Sequence, residues 1–269
     1  MFSFDWTPNK IVYDRETVNE FIRDLDILKP NLFSIDTETT GLNIVIDKPF
    51  FYQVAIANQK TMKGFSYTMD LRDDPALAKE FIKITLRAAW GADYLIGHNV
   101  VYDLHMLYNI GVPYEGNNLT DTQIMIRLGS DALPIRRGGE SMSLKLYATK
   151  HIDPAAKRFE KDLKVEQKNL AAEYNRPLKE LARKHGIRSI DLDKTLKDAL
   201  FTPDMLPEEF REGYIKWLND LPEKIRHNMK EGRVKSEDIP YYMLNVKNLH
   251  RYGAYDVIYT IETFQGLVS

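Results

Sequence analysis

Two periods of apolar and polar residues alternate along the first 130 residues. Ile11–Tyr13 is a short run of β-type residues. After Asp14, the residues Val18, Phe21, Ile22, Leu25 and Leu28 recur at helical spacing, which predicts a helix capped by Asp14 and running to Leu28. Asn31–Asp36 (NLFSID) reads as an apolar strand ending in acid, and Phe51–Ala57 and Phe65–Met69 read as the next two strands. Pro75 opens a helix to about Ala89, since proline suits a first helical turn. Asp93–Gly97 reads as a strand, Asn99–Ile110 as a helix stopped at Gly111, and Asp121–Leu128 as a further helix. Strands followed by strand–helix units predict an α/β fold, a mixed β-sheet flanked by helices.

From Ser141 to about Glu231 the pattern changes to charged and helical, with breaks at Pro154, Pro177, Gly186, Pro203 and Pro207. Between Lys150 and Arg188 there are 11 Lys or Arg against 6 Asp or Glu, a local net of +5. The last helix, about Val246–Phe264, carries apolar and aromatic residues at helical spacing and one acid, Asp256. This organisation predicts a single domain over residues 1–269, with a charged helical insertion at about 155–240 before the last helix. There is no repeat of fixed period.

Composition narrows the chemistry. The chain has 269 residues, 43% hydrophobic and 28% charged, as in ordinary globular proteins. With no cysteine, disulfides, thiolate metal sites and a cysteine nucleophile are excluded. A bound metal would need oxygen or imidazole ligands, which favours hard ions such as Mg²⁺ or Mn²⁺. The formal net charge of −2 excludes a globally basic nucleic-acid binder but allows a local basic patch. The start of the chain lacks a secretory pattern, and no window approaches a membrane span, so the expectation is a cytoplasmic protein without membrane contact.

Three acidic motifs stand out. In Asp36-Thr37-Glu38-Thr39-Thr40-Gly41-Leu42 the two acids are two apart at a strand end, so both carboxylates point to one face. Adjacent carboxylates repel unless a cation lies between them. A turn with a helix cap would also explain such a triplet. Asn99 and Asp103 are four apart at the start of a helix and share a face; capping by Asn99 and a first-turn acid explain that pair equally well. Tyr252 and Asp256 are again four apart, and the small residues Gly253 and Ala254 allow their helix to approach a sheet. A core tyrosine with a surface aspartate is the plainer alternative, though Asp256 lies in an apolar stretch. His98, His105 and His151 read as ordinary polar positions.

Taken in order, Asp-x-Glu on a strand, Asn-x₃-Asp and Tyr-x₃-Asp resemble the three motifs of the DEDD 3′–5′ exonuclease superfamily. The set most resembles the proofreading exonuclease domain of family A DNA polymerases, bacterial or phage. Asp36–Thr39 matches its Asp-Thr-Glu-Thr motif, and Tyr102 is also in place within the second. Asn118–Ile126 resembles the family's Asp-Thr helix, and Ser141–Ala148 its Ser-Leu helix. Arg251 stands where a close variant has histidine, so the tyrosine subclass fits.

The resemblance implies a ribonuclease H-like fold and a two-metal hydrolysis of phosphodiesters, with two Mg²⁺ or Mn²⁺ ions held by Asp36, Glu38, Asp103 and Asp256. Tyr252 would orient the attacking water. Thr39 and Leu42 would contact the terminal nucleotide, and Asn99 the strand or Asp103. Phe159 would pack on the penultimate base, and Arg136 and Arg137 would meet phosphates. The expected substrate is single-stranded DNA or a frayed 3′ end of duplex, cut to nucleoside 5′-monophosphates. The expected partner is a DNA polymerase subunit or a downstream polymerase domain, in a bacterial cell or phage-infected host. The 153-residue interval from Asp103 to Asp256 is longer than the resemblance implies, and no polymerase segment is expected in this chain. Two other readings stand beside this one. One is an RNA exonuclease of the ribonuclease D type. The other is a non-catalytic exonuclease fold that docks a polymerase.

Overall fold

The computed structural model describes residues 2–129, 142–187, 192, 196–197, 199–200 and 203–269. The chain forms two units, Met1–Glu160 with Val246–Ser269, and Lys161–Asn245.

The first unit is built on one mixed sheet. Its strands are β1 (Asp5–Trp6), β2 (Lys10–Ile11), β3 (Leu32–Thr39), β4 (Pro49–Asn58), β5 (Lys63–Asp70), β6 (Tyr94–Gly97) and β7 (Leu119–Asp121). They lie in the order β1-β5-β4-β3-β6-β7, with β2 also on β5. β3, β4 and β5 pair antiparallel; β6 joins β3, and β7 joins β6, in parallel. The expected mixed α/β sheet is therefore present. The first helix, α1 (Arg15–Leu28), starts as the sequence predicts: Asp14 accepts from the Thr17 amide at 2.9 Å and Thr17 returns the bond. Ile22, expected on its apolar face, is 37% exposed.

Side-chain alternation in β3 assigns its two faces. Phe33 and Ile35 join Val18, Phe21, Phe81, Ile82, Tyr52 and Val54 in a core under α1 and α2 (Pro75–Trp90). Leu32 joins Ala55, Ala57 and Ile96 against Val257, Ile261 and Phe264 of the last helix, Val246–Val268. Asp36 and Glu38 share the parity of Leu32 and so face the last helix, whereas Thr37 faces the other way, toward α3 (Val100–Asn109). Burying an apolar side chain fully contributes about 1.5–3 kcal/mol, so these two cores fix the strand's orientation and with it the direction of both acids.

Several elements differ from the expectation. β1, β2 and β7 are two or three residues long, too short to show a period, and β2 falls just before the expected Ile11–Tyr13. Asp121 ends β7 instead of opening a helix, and α4 runs over Thr122–Gly129. α5 occupies Leu144–His151 because Leu144 and Ala148 are buried with Ala156 and Tyr259. α6 spans Arg158–Tyr174.

The second unit has a small core of its own, with Phe210, Tyr214, Ile225 and Leu178 buried. Its helices include Arg176–Lys184, Glu208–Asp220 and Glu223–Asn228. Buried Asn175 pins the chain at Val234, donating to its carbonyl at 2.7 Å and accepting from its amide at 3.1 Å. The exposed face of Arg176–Lys184 carries Arg176, Lys179, Arg183 and Lys184. Among the described residues, no helix is long and apolar enough to cross a membrane.

Candidate active site

The first unit brings Asp36 and Glu38 of β3 together with Asp256 of the last helix. One carboxylate oxygen from each lies within 4.8 Å of the others. Asp36 and Asp256 line a cleft of about 440 Å³, together with Tyr252, Gln123, His98 and Lys145. Gly253 permits the approach of the last helix. A Cβ there would lie 3.0 Å from Gln53, the residue opposite Asp36 on β4. Gln53 is fully buried; its side-chain amide donates to Asp36, and lies 3.5 Å from Glu38.

Asp103 stands apart from those three. Its Oδ1 accepts from the Thr37 amide at 2.9 Å and the Thr37 hydroxyl at 2.7 Å, and it is 3% exposed. It therefore reaches β3 from the α3 side while still repelling Asp36. Asn99, expected to cap α3 with its side chain, makes no such bond. It sits in the left-handed region at φ 68°, and the Asp121 carboxylate caps instead, accepting from the amides of Asn99 and Val100, each at 3.1 Å. That role for Asp121 was legible only as an acid beside a threonine.

The electrostatics follow from crowding acids out of water. Burial raises the Asp36 carboxyl, and the Gln53 bond opposes it. Burial first and Asp36 second push Glu38 up to about 8. Asp103 is raised well above the usual range by burial and by Asp36. The countercharge is Lys145, which lies within Ser141–Ala148 but does not stand out as a site residue in the sequence. Its ammonium pairs with the Asp256 carboxylate and lies 4.5 Å from the centre of the Tyr252 ring. Burial draws it down to about 8, against the pull of Asp36 and Glu38.

The loop after β3 is also ordered by polar bonds. The Tyr102 hydroxyl donates to the Gly41 carbonyl at 2.8 Å and bonds Thr39 Oγ1 at 2.8 Å. Asp47 accepts from Thr40 Oγ1 at 2.9 Å and from the Asn43 amide at 2.8 Å. Glycine is required at position 41 by the Asp47 carboxylate, which a Cβ would meet at 2.4 Å. Leu42 projects from this loop, 87% exposed.

Phe159 is placed differently from the expected base contact. It is 5% exposed, stacked on Tyr255 at 4.2 Å, with the guanidinium groups of Arg158 and Arg251 at 4.6 and 5.2 Å from its centre. A ring buried and packed in this way leaves no open face for a base. Arg136 and Arg137 lie outside the described residues.

The model of the 3′–5′ exonuclease domain of family A DNA polymerases matches residues 9–180. The chain belongs to this exonuclease family. The matched span holds Asp36, Glu38 and Asp103; the last helix, with Tyr252 and Asp256, lies beyond it in sequence and is brought back to it by the fold. A DNA polymerase, DpoZ, of Salmonella phage PMBT28 is 35% identical over 101 residues, 37% of this chain and 15% of that protein. The chain thus spans a small fraction of that relative's length. Among solved structures, the catalytic core of RRP6 from Trypanosoma brucei is 12% identical with a TM-score of 0.41, over 97% of this chain and 46% of that one. Brucella melitensis NrnC bound to pGG is 18% identical with a TM-score of 0.32, over 57% and 62%.

Exonucleases of this acidic class use divalent metal ions. The donor set fits them: Asp36, Glu38 and Asp256 offer only oxygens, the ligands hard cations prefer, and their raised or ion-paired carboxyls are an environment that a cation relieves.

Proposed function

We propose that this chain is a metal-dependent exonuclease that removes nucleotides from the 3′ end of single-stranded DNA or a frayed duplex, releasing nucleoside 5′-monophosphates. The observation that carries the reading is the convergence of Asp36 and Glu38 with Asp256, beside a cleft lined by Asp36, Asp256 and Tyr252. The ions, two Mg²⁺ or Mn²⁺, would supply a nucleophile at neutral pH and relief of phosphate charge when bound. Asp36, Glu38 and Asp256 would hold them. Asp103, already held by Thr37, would support them from the second side of β3. The Tyr252 hydroxyl orients water instead of taking its proton, a phenol being a weak base at neutral pH. Thr39 and Leu42 would contact the terminal nucleotide, and Asn99 the substrate strand or Asp103. The basic stretch Lys150–Arg188 and the pair Arg136 and Arg137 are the candidates for phosphate contacts.

The biological role proposed is proofreading, in the company of a family A DNA polymerase, in the cytoplasm of a bacterial or phage-infected cell. Support comes from the family match and from the phage relative, which is a DNA polymerase. The unit Lys161–Asn245 is read as an insertion in the exonuclease domain, because the chain returns to the first unit after it.

Matched DNA and RNA strands, labelled at the 3′ end and incubated with Mg²⁺, test this function. The expected result is mononucleotide release from DNA at a higher rate than from RNA. Asp36→Asn and Asp256→Asn are expected to reduce it by about 10³-fold or more, the scale of losing charge stabilisation at a reacting centre. Full activity in either variant would remove that acid from the site, and faster cleavage of RNA would transfer the chain to the ribonuclease D type of reading.

A further inference from the structure

Lys145 is a largely buried cation beside the acidic cluster that the proposed reaction leaves without a task. It stands in the first turn of α5, where Leu144 and Ala148 are buried against Tyr259. That packing anchors the helix beside the last one. The Lys145 side chain is 12% exposed. Its ammonium pairs with Asp256 and feels the charges of Asp36 and Glu38. It also lies 4.5 Å from the Tyr252 ring centre and 5.8 Å from that of Tyr259. Two aromatic faces and three carboxylates form a receptor for a cation, and the chain fills it with its own.

We propose that Lys145 is an internal competitor for the metal site: in the metal-free protein its ammonium takes the countercharge position among Asp36, Glu38 and Asp256, and metal loading requires that ion pair to break. This rests on the metal reading of the carboxylate cluster. Three clustered acids, Asp256 buried and Asp36 and Glu38 partly so, would be costly without any cation, so in the metal-free protein the ammonium keeps the site folded. A divalent ion and an ammonium at the same carboxylate repel each other. Lys145 thereby lowers metal affinity while raising the stability of the metal-free protein.

Calorimetric titration of the metal-free protein with Mn²⁺, with no nucleic acid present, tests this directly. Lys145→Met keeps the long apolar stem and removes the charge. It is expected to bind Mn²⁺ roughly tenfold or more tightly than the wild type, the effect of deleting one neighbouring like charge. Its metal-free form is expected to melt at a lower temperature, with a larger upward shift on adding Mn²⁺. Lys145→Arg, which keeps the charge, is expected to bind as the wild type does. Equal or weaker Mn²⁺ binding by Lys145→Met would overturn the proposal while leaving the metal site standing. Absence of binding in both proteins would overturn the metal reading and the proposal together. Should Lys145→Met fail to fold without metal, unchanged affinity across wild type and Lys145→Gln would serve as the overturning result.

Discussion

Burial raises the carboxyls of Asp36, Glu38 and Asp103, and repulsion from Asp36 adds to it at Glu38 and Asp103. The motif acids were legible in the sequence because parity in a strand and spacing in a helix decide which side chains share a face. Gln53 and Lys145 were not, since neither belongs to the three acidic motifs: one is found by its register opposite Asp36, the other by the packing of Leu144 and Ala148. A further buried group gives a pH prediction. His250 bonds Thr68 Oγ1 at 2.7 Å and packs on Phe51 at 4.8 Å, and burial lowers its pKa from 6.5 to about 4, against the pull of Asp70 and Asp73. Below 6.5 the unfolded chain gains a proton there that the folded chain does not gain until about 4. Stability contributed by neutral His250 is thus full above 6.5 and is lost as the pH falls toward 4. Urea midpoints at pH 7 and pH 5 are expected to fall less in His250→Gln than in the wild type, whereas an equal fall would remove His250 as a source of acid sensitivity.

The last helix is the element on which the site depends, because it alone carries Tyr252 and Asp256 and lies along β3, β4 and β5. Its approach is set at Gly253, facing Gln53 at 3.0 Å from any added Cβ. Gly253→Ala separates stability from placement. Alanine gains about 1 kcal/mol of helix propensity over glycine, and crowding a packed interface costs about 1–3 kcal/mol. The melting temperature is therefore expected to change by only a few degrees, while the exonuclease rate falls about tenfold or more as Gln53 and Asp256 are displaced. A wild-type rate would show that this contact does not position the site. Long elements such as α1 and α2 followed their periodicity closely. The short strands β1, β2 and β7 did not, since their hydrogen bonds to β5 and β6 are decided by chain-distant partners that no local pattern encodes.

Across the molecule, acids separated by up to 220 positions, Asp36 and Asp256, meet at one cleft, with the charged unit Lys161–Asn245 lying between them in sequence. The near-zero net charge conceals this arrangement: the acids gather in one place, while the stretch from Lys150 to Arg188 holds a net of +5. The absence of cysteine agrees with a site made of oxygen ligands alone. Family membership was legible in the order of the three motifs, although Phe159 and Asn99 show that a motif position does not by itself settle what a side chain touches. The central claim is that the carboxylates from β3 and the last helix form a metal site. Anomalous diffraction from a crystal soaked in Mn²⁺ tests it most directly. Two peaks are expected among Asp36, Glu38 and Asp256, with Asp103 on the far side, and Lys145 is expected to be released from Asp256. No peak at saturating Mn²⁺, with the Lys145–Asp256 pair intact, would contradict it.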